Sequence, residues 1–156
     1  MDVYNLLYII LLTLLPTLEL RASIPYALLV FKLNPVFTFF FVVLINILLG
    51  ELIFYLLNTF LPYVLKIKFL EKIYKKCVER VQKKAYKYVN KYGTIGLALF
   101  IGVPLPGSGV WTGALAAFLF GFKKKEFSKA NIIGVIIAGI LVSLITLFGI
   151  NSFSFL

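Results

Sequence analysis

Apolar residues gather into four stretches, and polar breaks divide these into two kinds. Val36 to Leu61 is unbroken and about 39 Å long at ~1.5 Å per helical residue, more than the ~30 Å hydrocarbon core of a bilayer. Ile132 to Ile150 is uncharged and also long enough to cross once. The other two stretches are interrupted. Val3 to Phe31 is broken between Pro16 and Pro25 by Glu19, Arg21 and Ser23, and Thr94 to Phe122 is broken between Gly102 and Gly109 by Pro104, Pro106, Gly107 and Ser108. Each break leaves two apolar arms too short to cross alone, so hairpins 3–31 and 94–122 are expected to dip into the membrane and return. Non-helical backbone at that depth needs protein or a water-filled cavity around it.

Composition agrees with this pattern. Hydrophobic residues make up 62% of the 156 and charged residues only 14%; the mean hydropathy is +1.01. A soluble domain carries roughly 25% charged residues, so here lipid must supply the outer solvent. The formal charge of +10 would suit nucleic acid if it were spread over a face. Instead, Lys and Arg concentrate in 66–91 and 123–129, short segments flanking apolar stretches. That is how cytoplasmic loops of multi-pass proteins are marked, and nucleic acid is not an expected partner. The N-terminus lacks a basic residue before its apolar run and has no signal-cleavage pattern, so it is expected to stay in the mature protein.

Topology follows from the charge. A single crossing by 94–122 would put one of the two basic segments outside; a re-entrant hairpin keeps both in the cytoplasm. Reading hairpin 3–31 as entering from the outer face gives one membrane domain over 1–156 with an all-α fold. Its two inverted copies are hairpin 3–31 with spanning helix 36–61, and hairpin 94–122 with spanning helix 132–150. On a constant offset Ser23 falls at Thr112 and Gly50 at Gly139. Inverted repeats with broken helices meeting near the midplane are a recurring transporter design. Segment 63–93 joins the copies. Its apolar residues, among them Ile67, Leu70, Cys77, Ala85, Val89 and Tyr92, recur at spacings of three and four. This predicts a basic amphipathic helix lying in the headgroup region.

Intramembrane polar residues are the candidate chemistry, because an ionisable group at bilayer depth generally faces a cavity and a partner. Glu19 and Arg21 sit at the first break, where an ion pair, satisfaction of loose backbone and substrate contact are all open. Glu51 follows Gly50 and shares a helix side with Asn46; it is a candidate proton carrier with Glu19, or a structural hydrogen bond. In the second hairpin Pro104 and Pro106 end one arm, and Gly107 and Gly109 permit positive φ. Ser108 is a candidate N-cap for the returning arm 110–121, with Thr112 one turn on. The exposed N–H groups there suit phosphate or carboxylate, and Trp111 either lines the cavity or fills a gap. Pro16, Pro25, Pro104 and Pro106 are read as the hairpin breaks.

The run Pro16-Thr-Leu-Glu19-Leu-Arg21-Ala-Ser-Ile-Pro25, with Pro104-Leu-Pro106-Gly107-Ser-Gly-Val-Trp111-Thr112-Gly113, resembles the small multidrug export protein family over nearly the whole chain. The hairpin architecture is also similar to the DedA (VTT-domain) superfamily, which includes polyprenyl-phosphate flippases and lipid scramblases. That likeness implies a charged first tip at Glu19 and Arg21 and a Pro106-Gly107 second tip. DedA proteins carry arginines near the second tip where Ser108, Val110 and Thr112 stand here, so Arg21 and backbone N–H groups must hold any anionic headgroup.

The leading expectation is a transporter that flips an anionic amphiphile such as a polyprenyl-phosphate lipid, proton-coupled through Glu19 or Glu51. An exporter of small hydrophobic cations and a non-transporting structural role are the alternatives. No cofactor or metal is expected, and membrane lipids and the amphiphilic substrate are the expected partners, with homo-oligomerisation open. With no histidine and Asp2 the lone aspartate, neither a Ser–His pair nor an aspartyl dyad can form, and the chain is not expected to be an enzyme.

Overall fold

The computed structural model describes residues 3–64, 85, 86, 89, 91–105 and 107–153. Every element among them is helical: α1 (Val3–Leu14), α2 (Glu19–Leu29), α3 (Pro35–Val64), α4 (91–102), α5 (Val110–Leu119) and α6 (Lys124–Phe153). Only α3 and α6 contain stretches long and apolar enough to cross a membrane, Pro35–Phe60 and Lys124–Gly149. The short helices α1, α2 and α5 rise about 15–18 Å each, half of a hydrocarbon core.

Local chemistry sets where the long helices start. The Asn34 Oδ1 accepts the N–H of Val36 at 2.9 Å and of Phe37 at 3.2 Å. Pro35 fills the first helical position, where no N–H is required. The Lys123 N–H donates to Glu126 Oε2 at 2.8 Å, the return half of a capping box. Helix α6 therefore begins at Lys124 and not at the expected 132. Glu126, Ser128, Lys129 and Asn131 end the apolar run, but they do not end the backbone ladder.

Helices α3 and α6 pack antiparallel. Gly50 stands against Asn131, Gly139 against Val43 and Phe39, and Glu51 bonds Ser128, so rising numbers on one helix meet falling numbers on the other. The end of α3 and the start of α6 thus share one end of the molecule. Helix α4 runs alongside α6, with Ala98 and Ile101 at Gly134 and Gly102 at Gly134 and Ile137. The chain then turns over 103–109, and α5 leads back to the start of α6. Gly113 lets α5 close on Ile101, where a Cβ would collide with that side chain. In the other half, Tyr8, Tyr26 and Phe31 cluster with centroids 4.9–6.0 Å apart and tie α1 to α2. The short helices also cross over: α2 packs on α6 and α5 on α3.

On α3, Val36, Phe40, Leu44, Leu48, Leu52 and Leu56 are all exposed at intervals of four. That spacing builds a continuous apolar stripe on the outer face. Water does not tolerate a patch of that extent, and lipid does.

Three expectations change. Pro25 does not break the first hairpin: α2 passes through it, and the turn lies over 15–18, where Thr17 has φ 75°, with Glu19 at φ 47° opening α2. The returning arm ends at Leu119. Ser108 is not the N-cap of α5; Gly109 holds that position. The expected amphipathic helix over 63–93 lies largely outside the described residues, as does Pro106. Of its apolar face, Ala85 and Val89 are buried, while Tyr92 is half exposed.

Candidate functional site

The two hairpin turns meet. Glu19, 3% exposed, places its carboxylate at the start of α5, where Oε2 accepts the Val110 N–H at 3.1 Å and Oε1 the Trp111 N–H at 3.2 Å. These N–H groups belong to the first turn of a helix, which has no partner within the helix for them. The helix dipole makes the position favourable for a negative charge. Ser108 was the expected cap, but its Oγ stays within its own turn, where its single proton is shared between the carbonyls of Val103 at 2.6 Å and Leu105 at 2.7 Å and it accepts the Leu105 N–H at 3.2 Å. The carboxylate caps the helix from the other hairpin instead.

Arg21 completes the junction. Its guanidinium donates to the Leu105 carbonyl at 2.7 Å and to Ser108 Oγ at 2.9 Å. Of the three roles open to Glu19 and Arg21, both here satisfy the loose backbone of the second turn. Gly109, at φ 114° and ψ −169°, adopts a conformation nearly confined to glycine, and a Cβ on it would lie 2.5 Å from Glu19 Oε2. Its lack of a side chain is what lets the carboxylate reach the helix. Gly107, at φ 80°, and Pro104 shape the same turn. Thr112 Oγ1 donates back to the Gly109 carbonyl at 3.3 Å. Trp111 packs against the core, and its buried Nε1 has no hydrogen-bond partner. Pro16 stands in the facing turn, with Ser23 Oγ donating to the Glu19 carbonyl at 3.1 Å.

Glu51 is not part of this junction. It lies further along α3, accepting from Ser128 Oγ at 2.9 Å and from Asn131 Nδ2 at 3.5 Å. It lines a cavity of about 610 Å³ together with Phe54, Tyr55, Asn58, Lys123 and Lys124. Between the two carboxylates are residues that the hydropathy pattern underplays. Asn46 is wholly buried and borders the Glu19 carboxylate. Asn131, also wholly buried, packs on Gly50 and donates to the Ile47 carbonyl at 3.0 Å. Asn131 was missed because it sits just outside the apolar run beginning at Ile132. The available signal was an uncapped asparagine next to a glycine-bearing span.

No group of three or more acidic or thiol side chains capable of holding a metal occurs among the described residues.

Two apolar helices of spanning length, an exposed apolar stripe and a charged junction buried between them define a helical membrane protein. Residues 19–141 match the family described as "Putative small multi-drug export protein", and the chain belongs to that family. The matched region begins at Glu19 and includes both sides of the junction. No curated protein and no solved structure matches the chain.

Proposed function

We propose that this protein moves a phosphate-headed amphiphile, such as a polyprenyl phosphate, between leaflets of the cytoplasmic membrane. The observation that carries the reading is the position of Glu19. Its carboxylate occupies an anion site made by the Val110 and Trp111 N–H groups, with Arg21 close by on the same helix. A phosphate presents the same acceptor chemistry to the same donors. Glu19 then acts as an intramolecular stand-in that holds the two turns together while the site is empty. A proton on Glu19 neutralises the carboxylate and weakens both bonds, freeing the helix start for a headgroup. Release of the phosphate and of the proton restores the lock.

The architecture proposed with it is an inverted pair of re-entrant hairpins, and two features support that reading. Glycines meet the opposite helix reciprocally at Gly50 and Gly139, and each hairpin's returning helix packs on the other copy's long helix. Both basic segments belong in the cytoplasm by the positive-inside bias. Hydrophobic cations are the second reading, favoured by the family's export description and by a buried carboxylate that suits their charge.

Purified protein in liposomes, with a fluorescent polyprenyl phosphate in one leaflet, tests the proposal. Lipid movement that is lost in Arg21→Ala and in Glu19→Ala is the expected result. Absence of lipid movement, together with proton-driven uptake of a cationic dye, overturns it in favour of the second reading.

A further inference from the structure

Between Glu19 and Glu51 runs a line of buried polar atoms with too few partners. Asn46, whose amide lies beside the Glu19 carboxylate, makes no well-formed hydrogen bond through Oδ1 or Nδ2, and Asn131 leaves its Oδ1 unbonded, although both residues are 0% exposed. Natural interiors satisfy nearly all such groups, because a buried amide left without partners is destabilising. The four residues are in series. Asn46 borders Glu19. Gly50, one turn beyond Asn46 on the same side of α3, is the position Asn131 covers. Asn131 reaches Glu51 Oε1, which opens on the 610 Å³ cavity. Among the described residues no group bonds these orphan atoms, so water is the remaining partner of matching chemistry.

We infer that the Asn46–Asn131 seam holds water and forms a proton path from the cavity at Glu51 to the carboxylate of Glu19. A proton taken from bulk water at the cavity passes along the hydrogen-bonded file to a Glu19 oxygen, and the same file carries it back. The charged groups facing the ends are Arg21 and the α5 N–H groups at Glu19, and Lys123 and Lys124 across the cavity from Glu51. The asparagines, neutral at all working pH, hold the file without trapping the proton. At the opposite end of α3 and α6 the groove among the described residues is lined by Pro35, Val36, Phe39, Phe40, Ile140 and Leu144 among others and is almost entirely apolar. This inference supplies the proton for the lipid movement proposed above, but the path itself exists whether or not lipid is the cargo.

The test needs no substrate. The protein in lipid nanodiscs is held at a pH low enough to protonate Glu19, whose carboxyl infrared band is identified by its loss in Glu19→Gln. The bath is then switched from H₂O to D₂O. Wild type is expected to shift that band within the mixing time. Asn46→Leu and Asn131→Leu, matched in heavy-atom shape, are expected to slow the shift about tenfold or more by removing the groups that anchor water. Asn46→Ser and Asn131→Ser, which retain a polar anchor, should remain fast and guard against a merely misfolded Leu variant. A wild-type band that does not exchange, or Leu variants that exchange as fast as wild type, overturns the path. Failure of lipid movement with this result intact would overturn only the choice of cargo.

Discussion

Glu19→Ala removes the one side chain that bonds both free N–H groups at the start of α5. The two bonds, 3.1 and 3.2 Å long, have an ionised acceptor, a class worth about 1.5–3 kcal/mol each. They are not independent, because both end on one carboxylate. The truncation also leaves the two N–H groups without acceptors in a region that water does not reach freely, and it deprives Arg21 of its neighbouring charge. A loss of about 3–5 kcal/mol is expected, the range for breaking a buried charged partnership from one side. Glu19→Gln keeps one acceptor oxygen but turns an NH₂ toward a donor, and should lose about half as much. Unfolding in mixed detergent and sodium dodecyl sulfate, followed by circular dichroism, measures both. The order Ala, then Gln, then wild type supports the junction. If both variants lie within about 0.5 kcal/mol of wild type, the usual effect of an inconsequential surface change, the two turns do not hold each other.

The other expectations follow from the same contacts. Gly50→Ala puts a Cβ 2.5 Å from both amide atoms of Asn131 and should cost about 1–3 kcal/mol as overpacking of α3 on α6. Gly139→Ala meets Val43 Cγ2 at 2.7 Å and Phe39 Cε2 at 3.0 Å; a helical valine is nearly confined to one rotamer, so a similar loss is expected in the same unfolding assay. Asn34→Ala removes the cap of α3 and should lose about 1 kcal/mol, most of it restored in Asn34→Asp. For topology, cysteines placed one at a time at Lys32 and Lys125 in a Cys77→Ser background should differ. An impermeant reagent applied outside intact cells should label the first and spare the second; equal labelling would mean that the two hairpins enter from the same face.

Much of this was legible in the sequence because insertion into lipid leaves few choices. An unbroken run such as Val36 to Leu61 has no structure open to it but a helix, and α3 follows it closely. The tip residues were legible for a related reason: Glu19, Arg21 and the Pro-Gly turn are costly in lipid unless they find partners. What could not be read is which partners they would choose. Ser108 stands one residue before the capping position, which Gly109 holds, yet a carboxylate 91 positions from Val110 in the chain supplies the cap. Sequence spacing carries no information about such a contact; it depends on how the hairpins dock. The start of α6 was misplaced because hydropathy registers side chains, whereas the helix is set by the Lys123–Glu126 capping bond. Pro25 misled in the opposite sense. A proline removes one bond of the ladder, but here α2 continues through it.

The central claim is that the second hairpin's tip lies at mid-depth in the membrane, and Trp111, the only tryptophan in the chain, reports on it directly. The protein is reconstituted in lipids brominated either near the glycerol or near the acyl-chain ends, and its intrinsic fluorescence is recorded. Quenching strongest with bromine near the chain ends is the predicted result. Quenching strongest near the glycerol would place the tip at the interface and contradict the account.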